Sequence, residues 1–369
     1  MGKATETTLE IDFGALEHNY HFLRGKLKPD TKFLAVMKAF AYGSDAERIA
    51  LKMQALGVDY FAVAYSKEGI ALRKAGIQKP ILVLHPLPLH FEELISHCLE
   101  PSIYSRKVLL QFLKTAKKLA QTNYPVHLKF NTGLNRLGFA EKDIDFITEE
   151  LKQQDEIKVI SNFSHLAASE DANEKDFTLR QIKRFDRIAE TIALQLGYRP
   201  FRHLLNTSGI LNYAEAQYDM VRSGIGLYGY GNHPEIDKRL KPVAILKTVI
   251  SQIHEIAPGD TVGYNRAFIT KDYRMTATLP LGHADGIGRQ YGQGNTFVTV
   301  NGEMAFIVGN VCMDMIMIDV TGIACKEGDE VIVFGHHPSA ETFAATANTI
   351  SYELLTGISQ RVNRTFIGY

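Results

Sequence analysis

The sequence predicts an α/β fold in which a (β/α)8, TIM-like barrel is followed by a mostly β C-terminal domain. Short apolar runs alternate with helical patterns up to about residue 240, as expected for parallel βα units. A polar segment closed by proline, NHPEIDKRLKP (232–242), comes next, and short β-branched runs separated by Gly, Pro and Asp follow it. We therefore assign residues 1–240 to the barrel and residues 241–369 to the β domain.

The barrel half begins with a predicted strand at Leu9–Ile11 and a helix that Asp12 can cap. This first strand precedes the barrel units, and we expect it to pack on the β domain. Ser66 and Ser105 are expected to cap two later helices. The eight barrel strands are predicted at Phe33–Met37, Tyr60–Ala64, Ile81–Leu84, around Ile103, Val126–Phe130, Val159–Phe163, His203–Leu205 and Met220–Val221. Eight βα units favour a closed barrel, whose active site lies at the carboxyl ends of the strands.

The β half contains further runs of β-branched residues bounded by turn residues. Turns are predicted at Pro258–Asp260 and Glu327–Glu330, and one helix from about Thr342 to Leu355 is predicted to close the chain. The predicted strands are Val243–Ile250, Thr276–Leu279, Thr296–Val300, Ala305–Val308, Met315–Val320 and Glu330–Phe334.

The composition excludes several classes of function. The 369 residues include 41 basic and 41 acidic side chains, which gives no electrostatic footprint for nucleic acid or an anionic membrane. The N-terminal segment MGKATETTLEID is polar, and no run approaches the length of a membrane span. Cys98, Cys312 and Cys325 are too few and too widely spaced for a disulfide framework or a zinc site, so no metal is expected. These features place the protein in the cytoplasm.

Lys38 stands out within FLAVMKAFAYG (33–43), because it follows a predicted buried strand directly. A lysine at a strand end is partly removed from water, which lowers its pKa and makes the amine a better nucleophile. Taken alone, a lysine in this position more often caps the strand and extends its amine into solvent.

Polar side chains follow several other predicted barrel strands at the same end. Arg136 lies in the loop NTGLNRLGF, His165 follows its strand, and Asn206 and Thr207 follow the next. Arg222 comes after the last strand and precedes SGIG, whose backbone N–H groups lie where barrels commonly bind phosphate. Any one of these residues more often satisfies local backbone groups. Their convergence on one rim predicts a site.

Motifs along essentially the whole chain resemble those of the alanine racemases, in the same order. The matching segments are AVMKAFAYG, KFNTGLNRLGF, SHLAASED, HLLNTSG, VRSGIGLYG, VGYNRAF, LGHADGIGR, NVCMDM and SYELLTGISQRVNR. The resemblance implies a dimer of a pyridoxal-phosphate barrel and a β domain that interconverts L-alanine and D-alanine. It also implies a supply of D-alanine for peptidoglycan.

The same resemblance implies roles for individual residues. Lys38 would carry pyridoxal 5'-phosphate and act as one base, and Tyr264 in VGYNRAF would be the opposing acid/base. Arg136 and Met313 would border the substrate, and Lys129 matches a lysine that some members carry as a carbamate. The cofactor-binding residues would be Lys38, Tyr42, His165, Asn206, Thr207, Arg222, Gly224, Ile225 and Tyr352. Two bases are needed because the α-proton leaves one face and returns to the other.

The sequence departs from the family pattern at a few positions. Asn131 replaces an aspartate after Lys129, which leaves the carbamate open, and Thr207 replaces a serine but keeps the hydroxyl. His283 stands where a tyrosine is common, and Asn310 stands where an arginine is common. These changes leave the breadth of substrates open.

Two rival functions remain at this stage. An amino-acid decarboxylase of the same architecture would place an acidic residue on the pyridine nitrogen, where Arg222 is implied here, and would use a cysteine for which Cys312 is the candidate. A non-catalytic cofactor-binding barrel would lack the β domain that contains Tyr264. Measurements of alanine racemisation and of carbon dioxide release would separate the three.

Overall fold

The protein, described by a computed structural model over residues 4–369, contains a closed parallel barrel and a nine-stranded sheet. The first three residues of the polar N-terminal segment lie outside the described residues. The strands are β1 (Thr8–Asp12), β2 (Lys32–Val36), β3 (Tyr60–Val63), β4 (Ile81–Val83), β5 (Glu100–Ile103), β6 (Tyr124–Lys129), β7 (Ile157–Phe163), β8 (Phe201–His203), β9 (Met220–Ser223), β10 (Ala244–Val249), β11 (Gln252–Ile256), β12 (Thr261–Val262), β13 (Phe268–Ile269), β14 (Arg274–Leu279), β15 (Phe297–Val300), β16 (Glu303–Val308), β17 (Ile316–Asp319), β18 (Glu330–Phe334) and β19 (Asn363–Ile367). The helices are α1 (Phe13–Arg24), α2 (Lys38–Gly43), α3 (Ala46–Ala55), α4 (Ser66–Lys74), α5 (Phe91–Ser96), α6 (Arg106–Lys118), α7 (Ile144–Lys152), α8 (Lys175–Leu196), α9 (Thr207–Asn212), α10 (Pro234–Asp237), α11 (Ala340–Ala345) and α12 (Ser351–Gly357).

Strands β2 to β9 pair in sequence order, all parallel, and β9 pairs back with β2 to close the barrel. The predicted fold class is confirmed, and each predicted barrel strand overlaps an observed one. The apolar runs are buried on both faces, as in β3, where every residue is buried. Helices cover the outside because a parallel strand needs a crossover to return to the same edge. All eight carboxyl ends therefore meet at one rim.

The C-terminal β sheet has the strand order β11-β14-β17-β16-β15-β18-β10-β1-β19. Its first-in-sequence member, β1, runs antiparallel to β10 and parallel to β19. Residues 8–12 therefore belong to this sheet, although they precede the barrel in the chain. Strands β12 and β13 form a separate two-stranded hairpin.

Local signals were correct at some helix ends and wrong at others. Asp12 accepts a hydrogen bond from the Ala15 amide, and Ser105 accepts one from the Val108 amide, so both predicted caps are confirmed. The cap at Ser66 is wrong. Tyr65 is the N-cap residue and has an extended conformation. The Glu68 carboxylate, in the first turn of α4, accepts a hydrogen bond from the Tyr65 amide.

The single closing helix is also wrong. Asn348 takes a left-handed φ of 55°, which separates α11 from α12 because a right-handed helix cannot continue through that conformation. The chain then continues into β19. Among residues 4–369, no helix combines the length and the apolar character needed to cross a bilayer.

Candidate active site

A cavity of about 670 Å³ opens at the carboxyl-end rim of the barrel. Every site residue that the sequence indicated borders this cavity, except Tyr264 and Met313. Its lining is Val36, Lys38, Tyr42, Ala64, Tyr65, Leu84, His85, Lys129, Arg136, Leu137, Phe163, His165, Asn206, Thr207, Ser208, Arg222, Gly224, Ile225 and Tyr352. The residues after seven of the eight barrel strands thus converge on one space.

Lys38 begins a turn of unusual handedness. After β2, residues Ala39 to Tyr42 take φ between 52° and 56°, a left-handed conformation that costs non-glycine residues about 1–2 kcal/mol each. Gly43 completes the turn, and a Cβ there would lie 1.9 Å from the Leu355 carbonyl oxygen on α12. The turn that presents Lys38 is therefore packed closely against α12 at Gly43.

Glu68 holds this left-handed turn in place. Its carboxylate accepts hydrogen bonds from the amides of Ala39 (2.7 Å), Ala64 (2.7 Å) and Tyr65 (3.1 Å). The same carboxylate therefore caps α4 and anchors the backbone next to Lys38. Glu68 could not be identified from the sequence, because the hydrogen bond between its carboxylate and the Ala39 amide links two different βα units.

Positive charge dominates the cavity. Lys38, Lys129, Arg136 and Arg222 all line it, and no Asp or Glu does so among residues 4–369. Burial, followed by the charge of Arg136, lowers the pKa of Lys38, while Glu68 opposes the shift. Burial, followed by the charges of Arg136, Arg222 and Lys38, lowers the pKa of Lys129 to about 8. A site of this kind attracts an anionic ligand with more than one acidic group.

The floor of the cavity has the groups of a phosphate cradle. The backbone N–H groups of Gly224 and Ile225 donate to no acceptor among residues 4–369. A Cβ on Gly224 would lie 2.0 Å from the Tyr42 hydroxyl, so only glycine leaves room there. Burial raises the pKa of Tyr42 well above its ordinary value and that of Tyr352 to about 12, so both hydroxyls remain donors. The buried Thr207 hydroxyl lies 3.0 Å from Ser223 Oγ and accepts from the Gly226 amide.

Arg222 is buried and firmly held. Its Nη1 donates to His203 Nδ1 at 2.8 Å and to the His203 carbonyl at 3.1 Å. Its Nη2 donates to the carbonyls of Ser164 (2.7 Å) and Leu204 (3.0 Å) and contacts His165 Nδ1 at 3.2 Å. Nε has no partner among residues 4–369 and is free for a ligand. His165 was among the residues expected at this rim, whereas the contact of His203 with Arg222 was not expected from the sequence.

The neighbours of Arg222 keep its charge in place. Burial, followed by the charge of Arg222, lowers the pKa of both His165 and His203 well below the ordinary value, so both rings are neutral acceptors. Burial lowers the pKa of Arg222 to about 9, and the guanidinium is still charged at neutral pH. Phe163 stacks on His203 with ring centroids 4.7 Å apart and lies 5.4 Å from the guanidinium carbon.

These groups fit pyridoxal 5'-phosphate. A lysine amine with a lowered pKa can bind its aldehyde, and unpaired N–H and hydroxyl donors can bind its phosphate. The free Nε of Arg222 can donate to its ring nitrogen. The remaining basic side chains, Lys129 and Arg136, can face the carboxylate of an amino acid.

Tyr264 and Met313 lie outside this cavity, on loops of the β domain. Tyr264 is at the tip of the β12–β13 hairpin, and Met313 is in the loop between β16 and β17. Their exposed fractions are 73% and 60%, unusually high for an aromatic ring and a methionine. Within one chain, the structure does not bring either residue to Lys38.

Two polar contacts hold these exposed residues in position. Asn310 donates to the Tyr264 carbonyl at 3.0 Å and accepts from Gln293 at 3.0 Å. Arg361 donates to Asp314, next to Met313, at 2.7 Å, and it binds both carboxylate oxygens of Asp285. Such anchoring is typical of a binding surface rather than of a mobile loop.

Together, the barrel, the strand-end lysine and the phosphate cradle define a pyridoxal-phosphate-dependent barrel enzyme with an added β domain. The family models described as "Alanine racemase, N-terminal domain" and "Alanine racemase, C-terminal domain" match residues 11–232 and 243–366. The chain belongs to the alanine racemase family, whose members are isomerases.

Individual relatives agree with this assignment. An alanine racemase from Thermodesulfovibrio yellowstonii is 36% identical over 366 residues, which cover 97% of each chain. An alanine racemase structure from Streptomyces lavendulae has a TM-score of 0.94 at 28% identity and covers 100% of this chain and 98% of that one. An alanine racemase structure from Bartonella henselae, with covalently bound pyridoxal phosphate, has a TM-score of 0.90 at 29% identity and covers 99% and 100%.

Proposed function

We propose that this enzyme interconverts L-alanine and D-alanine with pyridoxal 5'-phosphate as its cofactor, and that Lys38 and Tyr264 are its two bases. The observation that carries the proposal is the position of Lys38 on one cavity with a phosphate cradle and a buried arginine. When bound, the cofactor withdraws electrons from the α-carbon of the amino acid and so acidifies its α-proton.

Racemisation requires proton transfer on both faces of the α-carbon. Burial and the charge of Arg136 lower the pKa of the Lys38 amine, which makes its neutral, basic form more available. The Tyr264 hydroxyl supplies the second acid/base from the opposite side. In each direction one residue removes the proton and the other returns one, so the two exchange roles.

Arg222 sets the outcome of the reaction. Its guanidinium would donate a hydrogen bond from Nε to the ring nitrogen of the bound cofactor and, because it keeps its own proton, would leave that nitrogen unprotonated. This would limit electron withdrawal at the α-carbon and favour return of the proton over transamination. His165, His203 and Phe163 hold the guanidinium in this role.

The other proposed ligands follow from their places around the cavity. Tyr42, Thr207, Gly224, Ile225 and Tyr352 bind the cofactor phosphate. Asn206 caps α9 behind this cradle, where its side chain accepts from the Gly209 amide.

Arg136 binds the substrate carboxylate. Lys129, whose pKa of about 8 leaves part of the amine neutral, reacts with carbon dioxide to form a carbamate and release a proton. The resulting anion pairs with Arg136. A carbon-13 NMR signal from protein incubated with labelled bicarbonate, lost in Lys129→Met, tests this modification.

We also propose that the active site is completed in a homodimer. Tyr264 and Met313 are exposed and anchored but do not reach the cavity of their own chain. Two-fold symmetry would let each chain present them to the cavity of its partner and create two equal sites. This division of labour fits a boundary between the barrel and the β domain near residue 240, with β1 contributing to the β domain.

In the cell, we propose a cytoplasmic enzyme that supplies D-alanine for peptidoglycan. The balanced charge of the chain favours a small-molecule reaction without a nucleic acid or membrane partner.

The proposed function is tested by locating the cofactor and measuring the products. The purified enzyme should absorb visible light, and borohydride reduction followed by peptide mapping should find the cofactor on Lys38. It should convert L-alanine to D-alanine and release no carbon dioxide. The Lys38→Ala variant should lose the absorbance and nearly all turnover. A variant that keeps both, or an enzyme that releases carbon dioxide, would overturn the proposal.

The decarboxylase alternative finds no support at the site. The partner of the ring nitrogen would be Arg222 and not a carboxylate, and no Asp or Glu among residues 4–369 lines the cavity. The Cys312 thiol donates to the Asn310 carbonyl at 3.6 Å.

A further inference from the structure

A chain of buried side chains leads from Arg222 across the interior of the barrel. Beyond His203, its Nε2 lies 2.9 Å from Ser161 Oγ, and that hydroxyl lies 2.6 Å from His127 Nδ1. His127 Nε2 lies 2.8 Å from the Glu100 carboxylate. All these groups are buried, on strands β5, β6, β7, β8 and β9. Glu100, His127 and Ser161 do not touch the cavity, so this part of the hydrogen-bonded chain lies behind the cavity lining.

The direction of every hydrogen bond in this chain follows from its two ends. Arginine only donates, so His203 Nδ1 accepts and the His203 proton sits on Nε2. This N–H donates to Ser161, whose hydroxyl donates onward to His127 Nδ1. The His127 proton is then on Nε2 and donates to Glu100, which as a carboxylate only accepts. One arrangement satisfies the whole chain.

The competing arrangement leaves a group without a partner. If His127 were protonated, both of its nitrogens would donate, and Ser161 Oγ would accept from His127 and from His203. The Ser161 hydroxyl proton would then have no acceptor among the hydrogen bonds of residues 4–369. A buried unpaired donor of this kind is costly, so the arrangement in which the Ser161 hydroxyl donates to His127 Nδ1 is favoured.

We propose that Glu100, His127 and Ser161 are positioning residues that lock His203 in the tautomer that accepts from Arg222. If His203 carried its proton on Nδ1, that N–H would oppose the N–H of Arg222 and push the guanidinium away. The carboxylate at the far end also polarises each bond in the chain toward itself. This inference rests on the proposed contact between Arg222 Nε and the cofactor, but the tautomer of His203 is a property of the protein alone.

Nitrogen-15 NMR of histidine-labelled holoenzyme tests the tautomers directly. The expected spectrum shows His127 and His203, assigned by single substitutions, as neutral rings protonated on Nε2. Detection of His203 with its proton on Nδ1, or of either ring as an imidazolium, would overturn the proposal. This result does not depend on turnover, so it is distinguishable from failure of the proposed function.

Kinetics of chain-breaking variants test the consequence for Arg222. Ser161→Ala removes the link, and Glu100→Gln keeps an oxygen acceptor but removes the charge. Each should lower kcat about three- to tenfold with KM little changed, the scale of one lost buried hydrogen bond, and raise the share of transamination. Ser102→Ala is the matched control, because this buried serine on β5 has no hydrogen-bond partner among residues 4–369.

The control separates positioning from simple destabilisation. Ser102→Ala should leave kcat, reaction partition and the His203 NMR signals at wild-type values. If Ser161→Ala folds and keeps the wild-type kcat, the wild-type ratio of racemisation to transamination and the wild-type His203 signals, then Ser161 does not fix the His203 tautomer. If Ser161→Ala does not fold, Glu100→Gln carries the same test, and a wild-type partition there would refute the role of the carboxylate.

Discussion

Replacing Lys129 by methionine should stabilise the cofactor-free protein at neutral pH. Lys129 is 7% exposed and lies among three other cationic side chains. Folding therefore removes its charge from water and brings it close to like charges. Its pKa falls from the ordinary 10.5 to about 8. At about 1.36 kcal/mol per pKa unit, this difference corresponds to about 3 kcal/mol of unfolding free energy. Methionine is unbranched and only one heavy atom shorter than lysine, and it removes the charge.

The pH dependence provides the sharper test. Below about pH 8, Lys129 is charged in both states and the full penalty applies. Between pH 8 and its ordinary pKa of 10.5, the unfolded chain binds more protons than the folded one, so stability rises with pH. Above that range, both states are neutral and the penalty is gone. Wild type should therefore gain more stability across this window than Lys129→Met does.

Urea denaturation at fixed protein concentration in carbon-dioxide-free buffer measures this difference. Lys114→Met on α6 is the control, because that side chain is exposed and its removal should leave the wild-type pH slope unchanged. Adding bicarbonate should stabilise wild type but not Lys129→Met, since only the lysine can form a carbamate. A Lys129→Met variant no more stable than wild type at pH 7, or one with the wild-type pH slope, would refute the reasoning.

Further predictions concern the active site. Arg222→Glu places a carboxylate on the ring nitrogen and should raise transamination at the expense of racemisation; unchanged product ratios would show that this contact is misassigned. Asn310→Ala removes the anchor of the Tyr264 carbonyl and should lower kcat about tenfold, the scale of one buried hydrogen bond. Asn310→Asp, which keeps a partner for Gln293 but cannot donate from an ionised carboxylate, should behave like Asn310→Ala. Full activity in both variants would show that Asn310 does not support the function of Tyr264.

The barrel could be predicted because its signals are local. Each strand is a short apolar run bounded by turn residues, and the strand-end position of Lys38 follows from the run before it. The gathering of Arg136, Asn206 and Arg222 on one rim follows from the geometry of a parallel barrel. The resemblance to a known family added the roles of these residues.

The remaining features depend on contacts between distant parts of the chain. The left-handed turn at Ala39–Tyr42 contains no glycine, so no local signal marks it. Its anchor, Glu68, belongs to another βα unit. Likewise, β19 lies beside β1 only because the two ends of the chain meet in one sheet. The link between His203 and Glu100 spans four strands, and sequence spacing does not reveal such a chain.

The central claim is that Lys38 of one chain acts with Tyr264 of its partner, and mixed dimers test it most directly. Inactive Lys38→Ala and inactive Tyr264→Phe chains are refolded together. In a heterodimer, one site collects both mutations and the other has neither. Random pairing makes about half of the dimers heterodimers with one intact site of two, so about a quarter of wild-type activity should return. No recovery, with subunit exchange demonstrated separately, would mean that each chain uses its own tyrosine.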